Sequence, residues 1–521
     1  MRGSRNFLKR ERTIFAAVIF YFIGFLSAFS QQVNPMFHYT ISIPDPGSGI
    51  YQVELQTTDW ENDTVIFKMS RWMPGYYQIM DYANSLADFW ATDPNGNNLP
   101  FQKMGQNSWM VINKSTSEIR IRYNIKIDRQ FVANSFVDTQ RAYLVPGNTF
   151  LYVEDFINVP VQVKIVKPKN WNNITTGLPA KAGTQNEFAA PNFDILFDCP
   201  ILIGNLEELV SFYINGIEHR FIGFNLGIFD KVSFIDDLKK VVKAGVDIIG
   251  DIPYEQYTFI GIGPGLGGIE HLNNTIVSFD GNTMNTPEGR TRMLLFLGHE
   301  YFHNYNVKRI RPFELGPFDY ENENRTNLLW ISEGFTVYYE YLMLHRAGLI
   351  NENQLISKLE EDINALEQNP GKHYQSLTQA SYYTWEDGPF GRKGEEANRS
   401  ISYYQKGPVI ALLLDFAIRN TSKNEKSLDD VMRYLYFEYY KKNNRGFTDA
   451  EFQKACELIA GTPLEEIFEY ISTTKPVNYN KYLNMVGLSL DTLPETNIYK
   501  ISRINELDQE QEMLLKSWLQ Q

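Results

Sequence analysis

From Phe37 to about Gly204 apolar and polar positions alternate in short runs, the period-two pattern of half-buried strands. Phe37 to Ile43, Thr64 to Met69, Glu118 to Ile127 and Val159 to Val166 are such runs, and Pro94 to Asn98 (Pro-Asn-Gly-Asn-Asn) is a strong turn between two of them. The spacing predicts an antiparallel β-sandwich. From about Phe229 the period changes to that of amphipathic helices. The predicted helices are Lys231 to Ile249, Arg290 to Asn304, Leu328 to Arg346, Glu352 to Glu367, Tyr403 to Ile418 and Leu428 to Lys441. The chain therefore reads as an α+β multidomain protein, an N-terminal antiparallel β-sandwich domain followed by a mainly helical one. No internal repeat, low-complexity linker or long charge run interrupts it.

The first thirty residues follow neither pattern. Arg2, Arg5, Lys9, Arg10 and Arg12 precede an apolar stretch from Thr13 to Phe29, and Ala28-Phe29-Ser30 has the small-x-small form of a cleavage site. This is the layout of a signal peptide. The stretch is only slightly shorter than a spanning helix needs, so an uncleaved anchor is the alternative, and a membrane is a partner only in that case. Either way the body is expected outside the cytoplasm, exported to a periplasmic or extracellular space. No cysteine stands near the junction to carry a lipid.

Composition narrows the function classes. Over 521 residues, 49 Lys and Arg stand against 62 Asp and Glu, a formal net charge of −13, which excludes a nucleic-acid partner because such proteins need a basic face. A hydrophobic content of 43% with 21% charged residues rules out both disorder and a multi-span membrane protein. Cys199 and Cys456 have no partner at short spacing, so they form neither a scaffold nor a cysteine metal site; they could pair once with each other, but two buried thiols are the expectation. Only seven histidines occur, and three fall between His271 and His303.

Two of these three lie in Gly298-His299-Glu300-Tyr301-Phe302-His303, an H-E-x-x-H. A spacing of four puts both imidazoles on one helical face, close enough to share one zinc ion, with Glu300 beside it to act on bound water. A third ligand is required. A histidine six residues after His303 would supply it in one known arrangement, but position 309 is Arg and position 306 is Asn. Thirty residues on, Glu333 shares a helical face with Val337, Tyr341 and Leu344, in a helix that Gly348 would end. A carboxylate buried in that stripe would be costly unless a cation met it. Glu340 lies near the same face, either to accept a hydrogen bond from a ligand imidazole or as a solvated carboxylate.

Upstream, the strand Tyr257 to Ile262 runs into Gly263-Pro264-Gly265-Leu266-Gly267-Gly268. A dinucleotide loop would need a helix to open at the last glycine, whereas Ile269 to Phe279 is strand-like with a turn at Asn273-Asn274. Gly267-Gly268-Ile269-Glu270-His271 instead offers a closely approachable backbone followed by a carboxylate for a cationic group. Downstream, Ile401-Ser402-Tyr403-Tyr404-Gln405-Lys406-Gly407 opens an apolar helix, where a tyrosine hydroxyl would be placed to donate to a developing oxyanion. Spacing alone does not choose that tyrosine among 31.

Taken in order, Trp72-Met73-Pro74-Gly75-Tyr76-Tyr77, Gly267 to His271, His299 to His303 with Asn306-Val307-Lys308-Arg309-Ile310-Arg311-Pro312, Trp330 to Tyr339 and Tyr404-Gln405-Lys406-Gly407 resemble the glycyl aminopeptidase family of gluzincin zinc metallopeptidases, distantly similar to aminopeptidase N. The resemblance runs from about Phe37 to Leu490. It implies an N-terminal β domain (31–205) after the signal peptide or anchor (1–30), a thermolysin-like catalytic domain (206–490) and a C-terminal tail (491–521) too short for the PDZ module many relatives carry. It implies one Zn²⁺ per chain held by His299, His303 and Glu333, with Glu300 as catalytic base and Tyr404 as the oxyanion donor. Gly267, Gly268, Glu270 and His271 would bind substrate, Glu270 through its free amino terminus. The implied substrates are peptides with a free N-terminus and a small first residue, Gly or Ala. Tyr305 departs from the family, which has tryptophan there. An endopeptidase on the same zinc site and a non-catalytic secreted peptide-binding protein are the competing readings.

Overall fold

The computed structural model describes residues 35–114, 116–127, 129–493 and 498–520. The signal-peptide or anchor segment lies outside them. Among the described residues no helix is long and apolar enough to cross a membrane. Residues from Pro35 onward form one compact unit.

In the N-terminal half, a six-stranded sheet runs in the order Glu187–Ala190, Val161–Val166, Met36–Ser42, Ile50–Thr58, Ile119–Lys126, Leu86–Thr92. Its longest pairing sets Ile50 opposite Lys126 and Thr57 opposite Ile119. That register puts Tyr51, Val53 and Leu55 on the same buried side as Ile121, Tyr123 and Ile125. The expectation of a purely antiparallel sandwich needs one correction: Met36–Ser42 and Val161–Val166 pair in parallel, joined by a long stretch of intervening chain that period-two patterning cannot sense. A three-stranded sheet (Thr64–Lys68, Ser108–Ile112, Phe101–Met104) and a four-stranded sheet (Asn173–Thr176, Ile201–Gly204, Arg141–Leu144, Phe136–Val137) close over the same core, which is rich in aromatic rings such as Trp60, Trp109, Trp171 and Phe193.

The second half is built on a sheet in which Ile217–Gly223, Gln256–Gly261 and Asn274–Val277 are parallel neighbours and Gly268–Glu270 adds an antiparallel edge. The helix Lys231–Ile249 makes the first crossover, capped by Asp230 at its start and by Gly250 in the left-handed region at its end. The histidine helix, Pro287–Phe302, packs beside the edge strand. The predicted helix from Leu328 is a π-helical turn, Trp330–Phe335, leading into an α-helix, Thr336–Arg346. Gly348 follows with φ of 70° and stops it, as its place after the periodic run predicts. The last predicted helix is likewise α-helical over Leu428–Tyr434 and π-helical over Leu435–Lys442.

The residues after 490 are folded rather than loose. Leu488–Leu493 pairs with Ile498–Arg503, and a helix, Gln509–Leu519, buries Leu514 and Trp518 completely against the catalytic core. The Trp518 indole donates to the Tyr338 hydroxyl at 2.9 Å. The two cores also meet: Trp72 and Tyr77 of the β half pack with the helical core, while Ile260, Ile262, Ile269 and Ile276 of the second sheet pack with the β half. This meeting carries the Trp72-to-Tyr77 segment to the site.

Candidate active site

Three sequence-distant elements converge at the edge of the second sheet. The histidine helix supplies His299, Glu300 and His303, the π-helical turn supplies Glu333, and the edge strand supplies Glu270; all five are buried. Ligand atoms of His299, His303 and Glu333 all lie within 4.8 Å of one another. The two Nε2 atoms are 2.9 Å apart, and Glu333 Oε2 is 3.5 Å from the first and 3.3 Å from the second.

The outer ring nitrogens fix the tautomers. His299 Nδ1 faces Glu340 Oε2 at 2.8 Å and His303 Nδ1 faces the Asn306 carbonyl at 2.8 Å. Both partners are acceptors, so each Nδ1 donates and each Nε2 is left with its lone pair. Two lone pairs and a carboxylate oxygen thus point at one another in a buried place, and Glu333 Oε2 has no hydrogen-bond partner. A proton could relieve only one of these pairs. A metal cation accepts from all three, and two imidazoles with a carboxylate form a zinc donor set that leaves an open position. The residues fit the metal.

Local sequence explains the convergence. Asn306, just past the helix, donates its amide to the carbonyls of Ile331 (2.8 Å) and Ser332 (3.2 Å) and to Thr336 Oγ1 (3.1 Å), tying the end of the histidine helix to the glutamate turn. The π-helical turn itself is a distortion often kept where a side chain must be re-aimed. Gly334 and the helix Tyr403–Thr421 meet at Gly407 with no room for a side chain: a Cβ on Gly407 would lie 2.6 Å from Gly334 Cα. That close approach brings Tyr404 over the cluster, its ring stacked on His299 at 6.2 Å between centroids. Burial, then the Glu333 charge, raise the Tyr404 phenol well above its usual pKa, so it stays a donor.

Glu300 Oε2 is buried without a partner, and burial pushes its carboxyl up to about 7 against the opposing pull of His299 and His303. Gly268 packs directly on this carboxyl: a Cβ there would sit 2.5 Å from Glu300 Oε1 and push the side chain aside. Glu270, two residues on, points to the same side with Oε1 unpartnered, and Gly75 of the β half packs on its carboxylate. Gly267 has φ of 85° and turns the chain into the edge strand.

His271 is the one predicted site residue that does not join them. It follows the last residue of the edge strand, and its Nδ1 faces Asp198 Oδ1 at 3.3 Å. Asp198 also accepts from Leu272 N at 2.6 Å and pairs with Lys308 at 2.5 Å, so His271 belongs to a buried polar group of its own. Sequence reasoning missed Asn306 as the staple and Tyr77, which lines one cavity with Glu270 and whose phenol is pushed up by burial and by the charges of Glu270 and Glu333. Tyr77 was visible only inside the Trp72-to-Tyr77 motif, more than two hundred residues before the histidine helix. Tyr305, the family departure, is buried in the core, its hydroxyl donating to the Asp251 carbonyl at 2.8 Å.

Known proteins share this fold. The chain resembles the crystal structure of an aminopeptidase N family protein from Idiomarina loihiensis, with a TM-score of 0.83 and 27% identity, covering 88% of this chain and 79% of that one. An M1 zinc metallopeptidase from Deinococcus radiodurans, bound to a Tyr-Ser-Ala substrate, shares the fold at a TM-score of 0.52 and 14% identity, covering 86% of this chain and 96% of that one. A search of the curated proteins finds no match. Fold and site together define a metallopeptidase. More particularly, the chain belongs to the M61 peptidases: the Peptidase M61 N-terminal domain matches residues 38–205 and the M61 glycyl aminopeptidase domain matches residues 292–410, more than half of the chain between them.

Proposed function

We propose that this peptidase is a zinc-dependent aminopeptidase that releases the first residue of peptides with a free N-terminus, Gly and Ala among them. The observation that carries the reading is the convergence of three electron-pair donors, His299 Nε2, His303 Nε2 and Glu333 Oε2, with the unpartnered carboxylates of Glu300 and Glu270 buried beside them. Held there, a zinc ion would supply a Lewis acid and lower the pKa of a water in its open position.

The chain's own residues do the rest. Glu300 accepts the proton of the attacking water and returns it to the leaving amine. The Tyr404 hydroxyl donates to the oxyanion as the carbonyl becomes tetrahedral, a contribution of roughly 3 to 4 kcal/mol for one such donor in other hydrolases. Glu270 pairs with the α-ammonium and sets exopeptidase register, while Gly267 and Gly268 let the substrate backbone approach the edge strand. Glu340 and the Asn306 carbonyl hold the imidazoles in the tautomer the metal needs. The leader-like first thirty residues support an exported place of action.

Gly- and Ala-arylamides assayed with and without a chelator, beside metal analysis, test the reading. Glu300→Gln is expected to keep about one zinc per chain and lose nearly all turnover. Glu270→Ala is expected to hurt free-amine peptides far more than N-acetylated ones. Persistent activity in the first variant, or equal losses in the second, would refute the mechanism or the amine-anchor role respectively.

A further inference from the structure

Lys308, Arg309 and Arg311 follow the histidine helix in a basic run that the chemistry above leaves unused. The Arg309 guanidinium is spent on the carbonyls of Leu272 (2.9 Å), Pro253 (3.1 Å) and Asn304 (2.6 Å). Lys308 is spent on Asp198. Arg311 differs: among the described residues its guanidinium has no ion pair and no hydrogen bond, only the more distant charge of Asp194 and the phenols of Tyr320 and Tyr440. Asp194 is itself engaged by the Tyr320 hydroxyl at 2.6 Å. Arg311 is half-buried with its donors unused, and such a guanidinium is matched best by a carboxylate taken in fork geometry.

Arg311 packs over Gly316 and lines a cavity of about 430 Å³. Glu270, Gly75 and Tyr77 line the same cavity, while His299, Glu300, His303 and Glu333 do not. The cavity therefore opens from the amine-binding carboxylate and extends away from the metal ligands. It is far larger than the hydrogen or methyl of Gly or Ala would fill. With the α-ammonium at Glu270, the group free to enter is the side chain of that same residue.

We propose that this cavity receives the side chain of the substrate's first residue and that Arg311 binds a carboxylate there, so that N-terminal Asp and Glu are substrates in addition to Gly and Ala. The inference rests on the aminopeptidase reading through the place it gives the amine.

The test compares kcat/KM of the zinc-loaded full chain on Gly-, Glu-, Gln- and Lys-arylamides with that of Arg311→Met and Arg311→Lys. Glu and Gln differ only in charge and one atom. Glu is expected to exceed Gln and Lys by roughly tenfold or more, the scale of a charge-assisted hydrogen bond. Arg311→Met should lower the Glu-to-Gly ratio by a similar factor, and Arg311→Lys, which keeps the charge but loses the fork, should lower it less. Equal rates on Glu and Gln in the wild type, or an unchanged Glu-to-Gly ratio in the variants, overturns the proposal. If Arg311→Met fails to fold, Arg311→Lys and the wild-type Glu-to-Gln ratio decide. If no arylamide is turned over, the aminopeptidase reading fails separately, and calorimetry with free glutamate decides for the cavity: binding that weakens in Arg311→Lys supports it, and no binding overturns it.

Discussion

The contact between Gly334 and Gly407 is the hinge on which the active site's assembly turns, and Gly407→Ala tests it. A Cβ on Gly407 would stand 2.6 Å from Gly334 Cα and 2.9 Å from the Trp330 carbonyl, both backbone atoms that cannot swing aside. Ordinary contact at carbon requires the two elements to separate by about 1 Å, an overpacking that costs roughly 1–3 kcal/mol. The separation would move Tyr404, three residues before Gly407, away from His299 and Glu333. A shift of about 1 Å in a catalytic group can cost on the order of 100-fold in rate. Gly407→Ala is thus expected to lower the melting temperature by about 1 to 3 °C and kcat by about 10- to 100-fold, with KM for a Gly-arylamide much less affected. Thermal melting followed by circular dichroism and steady-state kinetics on the same preparation are the assays. Wild-type melting together with wild-type kcat would show that the two backbones yield without consequence and would refute the reasoning.

Two further outcomes follow from the surroundings of the site. Glu340→Gln removes the charged acceptor of His299 Nδ1, and zinc affinity measured by competition with a chelator should fall about 10- to 100-fold while the fold is kept; unchanged affinity would mean that Glu340 does not hold the ring. Lys308→Met leaves Asp198 buried without its cation and should cost roughly 3–5 kcal/mol of stability at neutral pH. Burial works against the ionised Asp198, yet Lys308 and His271 hold its carboxyl down to about 2 from the usual 3.8. A depressed carboxyl gives stability that is full above the unfolded value and lost as pH falls through the folded one. The deficit of Lys308→Met should accordingly narrow between about pH 4 and pH 2; a deficit independent of pH there would remove Asp198 from the account.

Much of this molecule was legible before its structure. Period-two runs located strands such as Thr64–Lys68 and Val161–Val166, and the 3.6-residue period located Lys231–Ile249 to the residue, because both periods record which side of an element meets the core. The H-E-x-x-H names its own chemistry, since a spacing of four is enough to put two imidazoles on one helical face. Glu333 could be inferred from the apolar face it shares, whereas Glu340 was left open between a partner for a ligand imidazole and a solvated carboxylate. The two cysteines are buried free thiols, the favoured one of the two states their spacing left open.

What sequence could not carry was everything that depends on two distant segments touching. Tyr77 comes from the β half, and only the meeting of the two cores places it in one cavity with Glu270. His271 and Glu270 are adjacent in sequence, yet His271 is taken up by Asp198, which arrives from the β half roughly seventy residues earlier. The π-helical turn at Trp330–Phe335 is invisible to a helical period because it is stabilised by what packs on it, Gly407 and the Asn306 amide, and not by its own residues. The helix at Gln509–Leu519 likewise earns its burial from Tyr338 and its neighbours. The sequence by itself determined which residues can do chemistry and on which elements they ride. Only the tertiary structure decided which of them share a site, because burial and contact are properties of the closed core and not of any segment within it.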